Sequence, residues 1–537
     1  MSHALFFAFV IGACLMWTAA CTAAAARLRP GWLRLTIVIA AITLPCLAVM
    51  PWVVLTAALA LARLQHNWFA PTLTAALAAV IGGVWIVRAG LLPRAAPAAG
   101  AWPLLRLVTM FLLAQVAAVA TLVWIDNTVR ADVRMARVKA AQIMQSVAPA
   151  QPLIDDDAAP LYLQAWGRLE ADKGLTEPQS PLTSATSVDV TSAAVTDLLA
   201  RHADTLQLLR RAADKPGCRF VRDWSRPSLD VILADVGSVR QAGRLLAIAA
   251  RREAADGDIA AALADVVRQR RMAAHIAAEP ILISGLVGAA IDSIGVETLT
   301  SILPAAMAAD AAGIDDPAIA EFVRVRVSFQ RHILGEEAFG LTTIADLADG
   351  SLVDPEALQL PVLPRAALIL FRCFSLPNDL AAYSSLMRQS RRLFERADMP
   401  GSRFRGLDQQ AFAIGNDSMS HRNSVLVRLL GPAIQGVLKA QATNRSRHAA
   451  AELLLAATRA RLKTGRLPES AESLVPEFLP ALPDDPFRDS GPLTVKIDAD
   501  GWLVYSVGPD GEDDGGPLSP ASDAGTDNDD VGLRLRR

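Results

Sequence analysis

Apolar and polar residues are distributed differently before and after residue 126. Before it, four apolar stretches are each long enough to cross a bilayer as a helix, which takes about 20 residues. After it, apolar residues recur at helical spacing between charged ones. The pattern therefore predicts four membrane-spanning helices, at Ala4 to Ala26, Leu35 to Ala62, Pro71 to Leu92 and Trp102 to Ile125.

The predicted spans lack the polar groups of a transport path. They contain no acidic residue, and their arginines, Arg88 and Arg106, lie near span ends. Ionisable residues inside a membrane usually mark ion or substrate pathways. The spans therefore favour an anchor over a transporter. Because the chain starts with Met-Ser-His and no basic residue, we interpret the first stretch as a retained span rather than a cleaved signal peptide.

Basic residues in the short loops between spans predict the orientation, since such loops are richer in Lys and Arg on the cytoplasmic side. The first loop carries Arg27, Arg29 and Arg34, and the third carries Arg94, whereas the second offers only Arg63. The basic segment 130–139 after the fourth span weakens this assignment. We expect a multi-pass protein of the bacterial cytoplasmic (inner) membrane, in contact with membrane lipid, whose soluble C-terminal part is extracytoplasmic.

Residues 191–303 predict a stack of helices. Two apolar stripes stand out, at Leu245, Leu246, Ala249 and Ala250, and at Ile259, Leu263, Val266 and Val267. Between them, Gly257 suits a helix C-terminus and Asp258 an N-cap. The pair resembles a tetratricopeptide-type helical hairpin, a unit that usually offers surfaces to other proteins. A plain helical domain without a ligand stays open as the alternative.

A further apolar segment, 279–299, is hydrophobic enough to resemble another membrane span. It carries Asp292 and Glu297, and Pro280 stands at its beginning. Charged groups near the middle of a span are unfavourable, so we predict a buried helix of the soluble part instead.

Composition and motifs exclude several classes of protein. The 537 residues carry a net charge of −2, so no basic surface points to nucleic acid as a partner. The sequence has no phosphate-binding, dinucleotide-binding or zinc-protease motif. His332 and Glu336 could supply two metal ligands from one helix face, but without a third ligand a surface pair is favoured. Cys218 and Cys373 show no metal or redox spacing, and a disulfide between them stays open.

The C-terminal region predicts a small α+β unit. Residues 493–497 and 502–507 alternate like strands, and Asp-Ala-Asp-Gly between them suits a hairpin turn. Gly508, Gly511, Gly515 and Gly516 follow in an acidic loop. Such a loop could hold calcium, a hard cation that takes six to eight oxygen ligands. The acidic side chains are Asp510, Glu512, Asp513, Asp514, Asp527, Asp529 and Asp530.

Five sequence elements of this unit resemble the C-terminal half of the major pseudopilins of type II secretion systems. They are Gly465 to Pro468, Asp485-Pro486-Phe487, Gly491-Pro492-Leu493, Ser506 to Gly511 and the acidic end 526–532. The resemblance covers about 65 of the 537 residues. It implies a helix, a small sheet and a calcium-binding loop, with Asp510 and one of Asp529 or Asp530 as the favoured side-chain ligands and Ser506 nearby.

The rest of the chain departs from that family, because it has neither a prepilin cleavage motif nor a single N-terminal pilin helix. A secretion function therefore does not follow from the module. The overall layout resembles a group of bacterial multi-span membrane proteins, and this resemblance implies no activity.

Together these observations predict a mainly α protein in four parts. They are a transmembrane region (1–126), a stalk and polar linker (127–190), a helical soluble domain (191–444), and a helix plus β-hairpin module with an acidic tail (445–537). We expect an exported interaction or assembly domain that contacts other envelope proteins. An enzyme with a site in the helical domain, or an accessory component of a secretion machinery, stays the alternative. The candidate calcium ligands are Ser506, Asp510, Asp513, Asp514, Asp529 and Asp530.

Overall fold

The computed structural model describes the second part of the chain in detail. The described residues are 127–222, 236–324, 327–349, 351, 376–420, 425–517 and 529–536. The four predicted membrane spans and Cys373 lie outside them, as does Asp527. Within the described residues the protein is mainly helical with one small antiparallel sheet, which confirms this part of the predicted fold class.

Twelve helices are numbered here in chain order over the described residues. They are α1 (127–147), α2 (Ala159–Ala171), α3 (Ala193–Arg201), α4 (Ala203–Ala213), α5 (Val236–Ala255), α6 (Ile259–Ala277), α7 (Leu282–Ala308), α8 (Pro317–Arg324), α9 (Gln330–Asp349), α10 (Leu376–Ala397), α11 (Phe404–Ser420) and α12 (Val425–Thr464). Contacts group the chain into two compact units. One comprises Met1–Met135, Ile344–Ala381 and His421–Val425, and the other comprises Ala136–Thr343, Ala382–Ser420 and Leu426–Arg537.

The predicted helical hairpin is confirmed as α5 and α6. Gly257 has a φ of +92°, a left-handed conformation that glycine adopts at helix C-termini. Asp258 caps α6, because its side chain accepts a hydrogen bond from the Ala261 N–H at 3.0 Å. The residues of the predicted apolar stripes are buried, except Val267, which is partly buried. Helix α7 packs against both helices.

The apolar segment predicted as a buried helix forms α7. Among the described residues, α7 is the one helix with the length and hydropathy for a membrane crossing, with a mean hydropathy of 1.5. About two thirds of that stretch, 67%, is buried inside the protein. Asp292, in the middle of α7, is completely buried and hydrogen-bonded, as described below.

The predicted hairpin is part of a three-stranded antiparallel sheet in the order β1 (Thr494–Asp498), β2 (Gly501–Ser506) and β3 (Val531–Arg536). The turn forms because Asp498 Oδ1 accepts hydrogen bonds from the N–H groups of Asp500 and Gly501. β3 was not predicted. The pattern that could have predicted this strand is the alternation of Val531, Leu533 and Leu535 with Gly532 and arginines. The sequence analysis assigned this stretch to the acidic tail.

Two hydrophobic cores hold the larger unit together. The first includes Tyr162, Trp166 and Leu169 of α2, which lie in the segment predicted as stalk and linker. They pack with apolar residues of α4 to α7. Because these side chains are buried, α2 belongs to the body of the helical domain.

The second core joins the sheet to the helices. Trp502, Val504, Leu533 and Leu535 of the sheet share it with Leu453, Leu454 and Ala457 of α12 and with residues of α6, α7 and α8. The predicted domain boundary at residue 445 lies inside α12. The C-terminal module and the helical domain therefore have a hydrophobic core in common.

Candidate cation site in the C-terminal loop

The acidic loop follows β2 and turns back onto the start of β3. Gly508, Gly511, Gly515 and Gly516 all have positive φ angles, from +71° to +101°, a region that favours glycine. At Gly508 a Cβ atom would lie 2.2 Å from the Asp529 carbonyl oxygen. The loop closes on β3 because glycine permits this approach.

Three of the six predicted ligands converge in this loop. One carboxylate oxygen each from Asp510, Asp514 and Asp529 lies within 4.8 Å of the other two. Asp510 and Asp514 are exposed and Asp529 is half-buried. Burial and the adjacent Asp510 carboxylate raise the pKa of Asp529. The three carboxylates repel one another when ionised, and a cation among them would relieve that repulsion.

Two other predicted ligands are engaged elsewhere. The Ser506 hydroxyl donates a hydrogen bond to Asp485 Oδ1 at 2.6 Å. Asp513 Oδ1 accepts a hydrogen bond from the Tyr505 hydroxyl at 2.9 Å, and Asp513 Oδ2 lies 3.1 Å from Arg488. The structure therefore does not bring Ser506 or Asp513 into the group of three.

Asp530, the sixth predicted ligand, binds the loop backbone. Its Oδ2 accepts a hydrogen bond from the Gly516 N–H at 2.7 Å, and the side chain is buried. Burial raises the pKa of Asp530 to about 6, and the nearby Asp513 and Asp514 carboxylates add to the increase. In this geometry Asp530 ties the end of the loop to β3.

The sequence alone did not reveal the role of Asp485. The sequence feature that could have indicated it is the Asp-Pro-Phe element, which Asp485 begins. Asp485 is completely buried and accepts hydrogen bonds from the Ser506 hydroxyl and the N–H groups of Phe487 and Val507. It holds the crossing loop against the end of β2. Phe487, which follows it, packs edge-on against Phe404 of α11 with ring centroids 4.8 Å apart.

Two basic side chains from the helices lie close to the acidic loop. The Arg405 guanidinium carbon of α11 would lie 3.6 Å from a Cβ atom placed on Gly511. The positive charge of Lys439 on α12 lowers the pKa of Asp529, although the net direction is upward. These cations neutralise part of the acidic charge and would compete with a bound metal ion.

A second polar cluster lies deep between α6, α7 and α12. Asp292 Oδ1 is 2.5 Å from Arg270 Nη1, and its Oδ2 is 2.5 Å from His448 Nε2 and 2.9 Å from Asn444 Nδ2. Asp292, His448 and Asn444 are at most 2% exposed. Both carboxylate oxygens of Asp292 are hydrogen-bonded within this cluster, which joins three helices.

His332 and Glu336 do not form the surface pair that the sequence favoured, because His332 is buried, with 3% of its surface exposed. The His332 ring donates from Nε2 to the Ala277 carbonyl oxygen at 2.9 Å. The His332 side chain therefore contacts the last residue of α6.

The chain was compared with protein-family models, curated proteins and solved structures. No family model matches the chain, and neither a curated protein nor a solved structure matches it.

Proposed function

We propose that the chain is a membrane-anchored protein of the bacterial cell envelope whose exported helical part serves in interaction or assembly. The observation that carries the proposal is the stack of α5, α6 and α7, in which successive helices pack on one another. Stacked helical hairpins commonly present surfaces to protein partners. Other envelope proteins are the proposed partners, and membrane lipid surrounds the proposed anchor.

The buried polar groups of the helical part are consistent with a binding role. Asp292 and His448 hold helices together from within the core. Asp265, also completely buried, is paired with Arg210 and Arg268. These carboxylates are occupied in contacts between helices, which suits a rigid scaffold whose outer surface is free to bind.

The proposed topology is tested with reporter fusions. We expect alkaline phosphatase fused after Arg537 to be active, because this enzyme folds in the oxidising extracytoplasmic space. The same reporter fused at Gly31, in the first predicted loop, is expected to be inactive because that loop is predicted to be cytoplasmic. Activity at Gly31 combined with inactivity at Arg537 would overturn the orientation.

We further propose that the C-terminal loop binds calcium. Its support is the convergence of Asp510, Asp514 and Asp529, whose carboxylate oxygens lie within 4.8 Å of one another. Loop carbonyls can complete the larger oxygen shell that calcium takes. The ion would join the loop to the start of β3, since Asp529 lies two residues before that strand.

Thermal unfolding of the purified full-length protein tests this second proposal. The full chain is needed because the sheet shares its core with α6, α7, α8 and α12. We expect millimolar calcium to raise the unfolding midpoint relative to excess chelator. A ligand that binds the folded state alone stabilises it by about 2.7 kcal/mol when its concentration is 100 times Kd.

Two asparagine variants make the calcium test specific. Asp510→Asn should abolish the difference between calcium and chelator, because it removes one of the three carboxylates. Asp500→Asn should preserve the difference, since Asp500 lies in the β1–β2 turn. Equal midpoints with calcium and with chelator in the unmodified protein would reject the calcium site.

A further inference from the structure

Two basic segments that are far apart in the sequence meet at one buried carboxylate. Glu337 of α9 is 1% exposed. Its Oε1 lies 2.6 Å from Lys139 Nζ of α1, and its Oε2 lies 3.7 Å from Arg391 Nη1 of α10. The two cations share one carboxylate, so the fold places the basic residues of α1 beside those of α10.

The two segments carry more positive charge than Glu337 balances. Residues 137–139 of α1 hold Arg137 and Lys139 and no acid. Residues 388–396 of α10 hold four arginines and a single acid, Glu395. The region around Glu337 therefore has a net positive charge.

Much of this positive charge faces solvent. Arg388 and Arg392 are exposed and stand four positions apart, on the same side of α10. Neither has an acidic partner among the residues that the structure describes. The side chains that pair with Glu337 are also accessible, with 47% of Lys139 and 42% of Arg391 exposed. The basic patch consists of these four cations, Lys139, Arg388, Arg391 and Arg392.

An acidic protein segment matches the basic patch in chemistry and in spacing. A guanidinium group is planar and can bind a carboxylate through two parallel hydrogen bonds. Residues four apart on a helix are about 5–6 Å apart at Cβ, close to the roughly 6.6 Å between alternate residues of an extended strand. An extended segment with an acid at every second position can therefore place one carboxylate on Arg388 and the next on Arg392.

We propose that the basic patch is a docking site for such an acidic segment of a protein partner. The proposal rests on the proposed interaction role and adds to it the place of contact and the chemistry of the partner. Because the patch is exposed and its cations outnumber the acids around it, the expected association depends on charge and weakens with added salt.

The position of α1 in the chain favours a protein partner over the lipid surface. Lys139 stands 14 positions after Ile125, the end of the predicted fourth span. Fourteen helical residues extend about 21 Å, whereas the headgroup layer on each side of a bilayer is about 5–8 Å thick. A helix that continues the predicted span therefore carries Lys139 beyond the lipid headgroups.

The test measures binding of a fluorescent peptide of alternating Glu and Ser to the full-length protein in a non-ionic detergent. Fluorescence anisotropy should rise on binding, and the rise should shrink as salt is added. A peptide of alternating Gln and Ser is the neutral control and should not bind. Absence of binding by the Glu-Ser peptide would overturn the proposal.

A double variant locates the binding on the basic patch. Arg388→Gln with Arg392→Gln should weaken peptide binding by roughly two- to tenfold, the range that two exposed ion pairs supply. Arg211→Gln with Arg240→Gln makes the same change in net charge at exposed residues of α4 and α5 and should bind like the unmodified protein. Equal weakening in both double variants would contradict a site on α10.

Chemical modification distinguishes a protein partner from lipid. Phenylglyoxal modifies accessible arginines, and the full-length protein in nanodiscs can be compared in phosphatidylcholine and in phosphatidylglycerol. We expect Arg388 and Arg392 to react equally fast in both lipids and more slowly once the Glu-Ser peptide is added. Slower reaction in phosphatidylglycerol without peptide would assign the patch to anionic lipid and overturn the choice of a protein.

Cross-linking in the protein's own membranes separates this site from the general interaction role. We expect Arg388→Gln with Arg392→Gln to lose cross-linked partners that the unmodified protein and the Arg211→Gln with Arg240→Gln control retain. If the patch variant keeps the same partners, the docking site is wrong and the interaction role stands. If the unmodified protein gives no cross-linked partner, the interaction role fails, and this proposal with it.

Discussion

Replacing Asp292 with alanine is expected to destabilise the folded protein by about 3–5 kcal/mol, the usual effect of removing one partner from a buried ion pair. The variant leaves Arg270, His448 and Asn444 without their shared acceptor between α6, α7 and α12. Chemical denaturation of the full-length protein, followed by circular dichroism, measures the change.

A matched control is Asp315→Ala. Asp315 pairs with Arg459, also on α12, at 3.1 Å, but its side chain is 74% exposed. Exposed pairs contribute about 0–1 kcal/mol, so this variant should unfold almost like the unmodified protein. A similar loss of stability in both aspartate variants would contradict the importance assigned to the buried cluster.

The Asp292 effect should also depend on pH. Burial alone would raise the pKa of Asp292, but the bond from His448 and the charges of His448 and Arg270 lower it below its ordinary value. The stabilisation is therefore present above the unfolded pKa of about 4 and is lost as the pH falls through the lower folded value. The difference in the free energy of unfolding between Asp292→Ala and the unmodified protein should therefore become smaller as the pH falls.

Asp485→Ala is expected to loosen the C-terminal sheet and to lower stability by several kcal/mol. The variant removes the acceptor of three buried hydrogen bonds, from the Ser506 hydroxyl and the N–H groups of Phe487 and Val507. A buried donor left without a partner costs about 1–3 kcal/mol. Limited proteolysis should then cut the chain within 485–517 before it cuts α5 or α6.

The adjacent Asp484 provides the control for this prediction. Its side chain is 49% exposed and pairs with Arg403 at 3.1 Å. Asp484→Ala should change stability by less than about 1 kcal/mol and leave the proteolytic pattern unchanged. If the two variants were cut equally, Asp485 would not be the residue that holds the crossing loop to β2.

Local elements were predictable because their signals lie close together in the sequence. The α5–α6 hairpin is set by apolar residues at helical spacing and by Gly257 and Asp258 between the helices. The β1–β2 hairpin is set by alternating residues around a turn stabilised by Asp498. Helix caps and tight turns depend on neighbours in the chain, so short-range patterns are enough to predict them.

The candidate cation loop was predictable in part. Its glycines and acids indicated a folded acidic loop, and Asp510, Asp514 and Asp529 do converge. Ser506 and Asp513 were also among the predicted ligands, but the structure places them against Asp485, Tyr505 and Arg488. Which side chain points into a loop depends on backbone conformation and packing, which a run of similar residues does not reveal.

By itself, then, the sequence determined the helical character, the two hairpins and the acidic loop, because each depends on residues near one another in the chain. Only the tertiary structure decided that Asp292 meets His448, 156 positions away. It also decided that Glu336 and Glu337, adjacent in sequence, have different electrostatic environments. The charge state and partner of a buried group depend on which distant elements pack against it, and that packing is a property of the whole fold.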